Sequence, residues 1–452
     1  MATTSSAATA RDQSTAAYPA SGTAWYSVAV LMLMYIFSFI DRQIISLLVE
    51  PMKRDLHLSD VQIGMLQGLA FALLYTCLGL PIARLADRHN RKTIIACGVL
   101  LWSLMSTLCG VAKTAVQLFF ARVGVGIGEA ALSPSAYSII TDSFPRAKLG
   151  RAFAIYTIGI PIGAGIALLV GGLIVGLVSG AGDHYVLPFL GPVRAWQFVF
   201  IVTGAPGLLL PLLLLTFREP PRRGLLAGPA HRASLGEVFN YAWLNRKFYA
   251  LHFVALALLA LAGYAVGAWL PTALHRAYGV SAAQVGAVTG ISTMTVNTCG
   301  MLLAGVLCDR LTRRGMPDAP VIVALISAVG IAILSCFPPV MPTVPLVWGA
   351  LVISGITFHA YNGVGPMAVN QVTPNQYRAQ ISAAYLFVVN ILGLGVGPWL
   401  VPFINEHVFH DPDKIRYSLI MVVFSSAALA ALLLVIERPI YRQKQSEAAH
   451  WQ

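Results

Sequence analysis

Four ionisable residues stand inside long apolar runs: Asp41 and Arg42 in the first run, Arg122 and Glu129 in a later one. A charge at membrane depth costs several kcal/mol unless it is paired or wetted, so each of the four is a candidate for function. Glu129 follows Arg122 by seven residues, which is two helical turns along one face. Two acids and two guanidinium ions sum to zero charge, and no other acid is expected well inside a helix. Burial favours the neutral form of a carboxyl and an adjacent arginine favours the charged form, so the proton affinity of Asp41 or Glu129 depends on whether its partner is in contact. An anionic head group would compete for Arg42 and Arg122, because guanidinium matches phosphate or carboxylate with paired donors. Proton binding at Asp41 and Glu129 and substrate binding at Arg42 and Arg122 then become linked.

The later apolar runs carry a different set at mid-depth: Tyr264, Asn297, His359, Tyr361, Asn362 and Asn390, polar but without fixed charge. If these line a cavity, one wall is charged and the other neutral, which suits an amphipathic anion with its head on the first half and its tail on the second. His359 is more readily an interhelical hydrogen-bond donor than a proton carrier. Gly126-x-Gly128-x-x-Ala131 looks like part of a dinucleotide fingerprint, yet it follows no strand and lies within an apolar helix. There is no P-loop, metal set or nucleophile set, and the six cysteines form no disulfide framework. The expectation is no cofactor, no metal and no enzyme activity.

Composition says what must position these groups. Of 452 residues 57% are apolar and 11% charged, against roughly 25% charged in an ordinary soluble domain. A membrane crossing takes about 20 helical residues, and twelve such segments can be laid down: 24–49, 61–83, 93–112, 115–142, 150–179, 195–216, 248–274, 282–308, 318–337, 344–371, 378–404 and 415–437. The fold class is therefore an all-α membrane protein with twelve transmembrane helices in two six-helix halves, 24–216 and 248–437. A cytoplasmic linker, 217–247, joins them. Residues 1–23 are Ala/Ser/Thr-rich and read as a disordered cytoplasmic tail rather than a signal peptide, and 438–452 form a second cytoplasmic tail. With the N-terminus inside, 21 of the 30 Lys and Arg fall in cytoplasmic segments and 7 in outer loops, as the positive-inside rule requires. Orientation thus accounts for the net charge of +12, and nucleic acid is not a partner. A multi-pass protein of the inner (plasma) membrane is expected, with both termini cytoplasmic.

The two halves echo each other. Ala83-Arg84-Leu85-Ala86-Asp87-Arg88-His89-Asn90-Arg91-Lys92 follows the second segment, and Gly305-Val306-Leu307-Cys308-Asp309-Arg310-Leu311-Thr312-Arg313-Arg314 follows the eighth. This duplicated Asp-Arg loop resembles that of the major facilitator superfamily of secondary transporters. The resemblance implies a 6+6 bundle, a substrate site near mid-bilayer between the halves, and rocking between inward-open and outward-open states. It also implies a cytoplasmic gate of Asp87, Arg88, Arg91, Asp142 and Arg378, with Asp309 and Arg310 as the counterpart in the other half. Asp87 would accept bonds from the helix start near Arg378. Asp87→Asn should then raise inward-open occupancy, read as greater cytoplasmic accessibility to a thiol reagent.

Ile40-Asp41-Arg42, the Asp87 loop, Leu101-Trp102-Ser103-Leu104, Arg122-Val123-Gly124-Val125-Gly126-Ile127-Gly128-Glu129-Ala130 and Ile160-Pro161-Ile162-Gly163-Ala164-Gly165 are similar to the Spinster branch of that superfamily over residues 36 to 170. Ala83 stands where that family's loop usually has Gly, and the likeness weakens after residue 250. Carried over, it implies a proton-coupled carrier of a lysophospholipid or sphingosine-phosphate-like lipid. Asp41 and Glu129 would be the protonatable pair and Arg42 and Arg122 the head-group contacts. Partners would be the lipid bilayer, protons and an amphipathic anion, and the chain would be a monomer. A multidrug or small-carboxylate carrier of the same fold is the alternative, and a membrane-embedded lipid-modifying enzyme is a distant third.

Overall fold

A computed structural model describes residues 18–179, 184–187, 191–222 and 234–448, apart from a few helical side chains, among them that of Asp87. Among the described residues, twelve helices are long and apolar enough to cross a membrane. They are span 1 (Ser21–Leu47), span 2 (Asp60–Gly79), span 3 (Arg91–Cys109), span 4 (Ala115–Ser143), span 5 (Arg151–Leu177) and span 6 (Ala195–Thr216) in the first half. The second half holds span 7 (Arg246–Tyr278), span 8 (Ala282–Arg313), span 9 (Ala319–Val340), span 10 (Val344–Val372), span 11 (Gln376–Phe409) and span 12 (Pro412–Ala448). The surface they present is apolar, with Leu177 and Leu215 more than two-thirds exposed. Such a surface requires hydrocarbon rather than water around it.

Polar residues punctuate the apolar runs and set their starts. Ser59 with Gln62 and Ser281 with Gln284 form capping boxes at the starts of spans 2 and 8. Asn90 accepts from the Thr93 N–H at the start of span 3. Gly279, at φ 65°, ends span 7 in the left-handed region that glycine tolerates.

Two expected boundaries shift, and the linker is partly helical. Span 1 begins at Ser21, inside the segment read as a tail. The linker contains a helix, Leu235–Leu244, started by a Ser234/Glu237 capping box. Span 12 continues to Ala448 because Arg438 and Arg442 fold back onto Asp318 and give its polar end a partner. Between spans 5 and 6, β1 (His184–Leu187) pairs antiparallel with β2 (Gly191–Arg194), with Leu187 opposite Gly191.

The side that the charge count assigns as outer is where bonds between the halves concentrate. Spans 2 and 11 approach so closely that a Cβ at Gly68 would stand 2.6 Å from the Gly395 carbonyl oxygen. Spans 5 and 8 do the same, with a Cβ at Gly290 reaching within 2.6 Å of the Gly165 carbonyl. Counting six spans from one half to the next turns span 2 into 8 and span 5 into 11, so the two seams are counterparts.

Candidate functional site

The charged centre forms where two helices lose regularity. Span 1 is α-helical to Gln43 and then tightens into a 3₁₀ turn, and span 4 breaks after Glu129 before resuming at Leu132. Arg42 and Glu129 are therefore the last or next-to-last residues of their helical segments. Arg42 Nε donates to Glu129 Oε2 over 2.6 Å. Ser38, one turn earlier in span 1, donates to the same oxygen over 2.5 Å. The Glu129 side chain is sealed, whereas Arg42 keeps a tenth of its side-chain surface exposed.

Aromatic rings enclose that guanidinium. Its central carbon lies 4.9 Å from the Phe39 ring centre and 4.6 Å from those of Phe71 and Tyr75, both on span 2. Ring faces stabilise a cation that has lost part of its hydration, by about 0.5–2 kcal/mol each. Tyr264 of span 7, in the other half, is within electrostatic reach of Arg42 and Glu129. Nearby, Gln43 Nε2 donates to the Gly267 carbonyl over 2.7 Å. Spans 1 and 7 thus meet beside the centre.

Asp41 takes a different partner from the one expected. Its Oδ1 accepts from Ser106 Oγ of span 3 over 2.8 Å, and Arg122 Nη1 donates to the Asp41 backbone carbonyl over 3.1 Å rather than to its carboxylate. Consecutive helix positions diverge by about 100°, so when Arg42 faces Glu129 the Asp41 carboxylate must turn toward span 3. Two atoms of the cluster, Arg122 Nε and Glu129 Oε1, are buried without a hydrogen bond.

The neutral set is more dispersed. Tyr361 lies next to Tyr264. Asn362 and His359 bond each other, Nδ2 to Nδ1, over 3.1 Å. Asn297 ends a wide π-type turn of span 8, with its Oδ1 against Gly355 of span 10. Asn390 opens the π-turn segment of span 11, whose Leu394 and Gly395 carbonyls meet Gly68. Of the six, Tyr264 adjoins the charged centre with Tyr361 beside it, His359 and Asn362 bond each other, and Asn297 and Asn390 mark the π-turns of spans 8 and 11.

At the inner side, Arg91 is buried and bonds Asp142 and Ser138 Oγ (2.8 Å) of its own half and, at the start of the linker, Glu219 Oε1 (2.6 Å) and the Pro220 carbonyl (2.7 Å). Glu219 was not foreseen; it follows span 6 directly and folds back onto span 3. Arg378 donates to the Thr373 carbonyl over 3.2 Å, also within its half. Arg88, Asp309 and Arg310 are exposed, and Arg313 Nε donates to the Asp309 carbonyl over 3.4 Å. The Asp87 side chain lies outside the described residues.

Sequence reasoning also missed an outer lock between the halves. Arg276, at the end of span 7, donates through Nη1 and Nη2 to the Asp60 carboxylate over 2.8 and 2.9 Å, and through Nε to Glu50 over 2.8 Å. Lys53 Nζ is 2.5 Å from Asp60 as well, and Glu406 of span 11 accepts from the Val61 N–H over 3.2 Å. The only signal was position: Lys53 and Arg276 are cations in loops that carry few. Nor is it true that only Asp41 and Glu129 are sunk in helices. Glu437 is fully buried against His252, because span 12 runs eleven residues past its expected end. Among the described residues no group of three or more His, Cys, Asp or Glu could hold a metal ion.

Twelve spans in two sixes, locked together on one side around a charge-balanced buried centre, define a membrane carrier rather than an enzyme. The Major Facilitator Superfamily profile matches residues 31–398, and the chain belongs to that family of transporters. It is 29% identical over 432 residues to the "MFS-type efflux pump" of Mycolicibacterium smegmatis, covering 94% of this chain and 95% of the pump. To the "Sphingosine-1-phosphate transporter SPNS2" of Danio rerio it is 24% identical over 399 residues, 84% of this chain and 76% of the relative. The crystal structure of a bacterial homolog to the human lysosomal transporter Spinster, inward-facing and unoccupied, superposes with TM-score 0.74 at 28% identity, covering 96% of this chain and 100% of that one. Spinster proteins are thus among its relatives by sequence and by fold.

Proposed function

We propose that this chain is a proton-coupled secondary transporter that moves an amphipathic organic anion, of the lysophospholipid or sphingosine-phosphate kind, by alternating access. The observation that carries the reading is the pair Arg122 Nε and Glu129 Oε1, buried and unbonded in a cluster of two acids and two guanidinium ions. An unmade hydrogen bond at a buried charge is costly, and an arriving head group or proton would make it. In this reading Asp41 and Glu129 bind the proton and Arg42 and Arg122 hold the head group. Tyr264, Asn297, His359, Tyr361, Asn362 and Asn390 form the neutral wall. Asp87, Arg88, Arg91, Asp142, Asp309, Arg310 and Arg378 form the inner gate. The chain works as a monomer in the inner membrane with both termini cytoplasmic, and the state seen, joined on the outer side, faces inward.

Flux of lysolipids into proteoliposomes with and without an inward-acidic pH gradient tests the reading. The expected result is flux that follows the gradient in the parent and is independent of it in Glu129→Gln. Equal, pH-independent flux in both would refute the coupling. A second reading, a multidrug or small organic-anion carrier, is favoured by the extent of the match to the M. smegmatis efflux pump. Competition between lipophilic cations and organic anions separates the two, since paired arginines disfavour a cation.

A further inference from the structure

A titratable pair lies in the second half, apart from the centre described above. His252 of span 7 and Glu437 of span 12 have fully buried side chains, with His252 Nδ1 2.7 Å from Glu437 Oε1. The other ring nitrogen, Nε2, is 3.0 Å from the Gly365 carbonyl oxygen of span 10. A carbonyl can only accept, so Nε2 carries a hydrogen and donates. The Nδ1 contact then has two descriptions: an imidazolium donating to a carboxylate, or a neutral imidazole accepting from a protonated carboxyl. Both contain the same one proton beyond the fully deprotonated pair. Without it, the Nδ1 lone pair would face an ionised carboxylate, and the bond between spans 7 and 12 would be lost.

The surroundings do not supply another partner for that proton. Phe248 stacks on the imidazole at 5.5 Å between ring centres, and Tyr385 of span 11 stands at 6.3 Å. Tyr441, one turn beyond Glu437, donates to Gln371 Oε1 of span 10 over 2.7 Å, with Cys308 of span 8 and Asp318 behind it. Arg438 and Arg442 of span 12 are turned to Asp318, Arg442 Nε over 2.9 Å. Glu437 Oε2 is buried and unbonded.

Gly365 belongs to the inner segment of span 10, Tyr361–Val372, which is separated from Val344–Phe358 by a break at His359 and Ala360. We propose that His252 and Glu437 form a second proton-binding site of this carrier, whose proton holds the inner segment of span 10 against spans 7 and 12. It goes beyond the coupling centre of the first half, because it assigns a proton to the second half and a mechanical consequence to its release.

Hydrogen–deuterium exchange of peptides covering residues 361–372, corrected for the intrinsic chemical rate, tests this on the purified full chain. Glu437→Gln is the informative variant, since its amide can donate to a neutral His252 and keep the geometry without a releasable proton. In the parent, exchange should rise at least about threefold between about pH 6 and about pH 9. In Glu437→Gln it should stay flat, and in Asp41→Asn it should follow the parent, which separates this site from the first centre. A Glu437→Gln curve that tracks the parent, or a parent curve that is itself flat, overturns the proposal. Should Glu437→Gln show no cooperative melting, His252→Gln is read by the same criterion.

Discussion

Arg42 Nε and Glu129 Oε2 are joined over 2.6 Å at the points where spans 1 and 4 lose their helical regularity, and Ser38 donates to the same carboxylate oxygen. Glu129 therefore cannot gain a proton on Oε2 without disturbing both bonds, while Oε1 is unbonded.

Substituting Glu129 by Gln removes the charge but keeps a hydrogen-bonding side chain for Ser38. The ratio of flux with to flux without a pH gradient should fall to about one. Both variants leave Arg42 without its counter-ion, but Gln keeps an acceptor oxygen for Ser38 and Arg42; Glu129→Ala removes that acceptor as well, and leaving a buried donor unsatisfied costs about 1–3 kcal/mol, so its melting temperature should fall below that of Glu129→Gln. Matching melting curves for the two variants would contradict this account of the pair.

Arg276 bridges Asp60 and Glu50 across the outer side. Arg276→Gln should lower the stability of the outer closure by about 1–3 kcal/mol, a 5–150-fold change in the ratio of outward-open to inward-open molecules. Distances between spin labels at the outer ends of spans 2 and 7 should lengthen. An unchanged distribution would mean the glycine seams hold the outer side without the lock.

Those seams can be tested separately. A Cβ at Gly68 would stand 2.6 Å from the Gly395 carbonyl and 2.9 Å from that of Leu394. Backbone oxygens cannot move aside as a flexible side chain can, so Gly68→Ala should force spans 2 and 11 apart. Overpacking costs about 1–3 kcal/mol. Greater outer accessibility with the twelve spans intact is expected; Gly79→Ala, which would meet nothing within 4 Å, serves as the control.

Asp318, just before span 9, gives a pH dependence of stability. Burial works against its charged form, but bonds from Arg438 and Arg442 outweigh this and hold its carboxyl below the ordinary range. A depressed carboxyl stabilises the fold above its unfolded value and loses that contribution as pH falls through the folded one. Asp318→Asn should therefore melt lower than the parent near neutral pH, and the difference should close toward about pH 3. A gap that stays constant on acidification would show that the charge plays no part.

Much of the fold was legible because hydrocarbon imposes a strong rule: every crossing needs a long apolar helix, and loop charge orients it. The same rule made Asp41, Arg42, Arg122 and Glu129 conspicuous, since a charge at that depth must be paired or wetted. Ser38, Phe71, Tyr75 and Ser106 were not legible, because serines and aromatic residues are common in membrane helices and carry no mark of which neighbour they face. His252 and Glu437 escaped notice because span 12 was ended too soon at a charge that proved to be paired.

By itself the sequence determined the number of spans, their grouping into two sixes and the residues worth suspecting, because burial in lipid is priced residue by residue along the chain. Which acid meets which arginine was decided only by the tertiary structure. A step of one residue turns a side chain by about 100°, so neighbours such as Asp41 and Arg42 reach different helices. The Arg276–Asp60 lock and the His252–Glu437 pair were decided in the same way: their members stand 216 and 185 residues apart, and only packing brings them together.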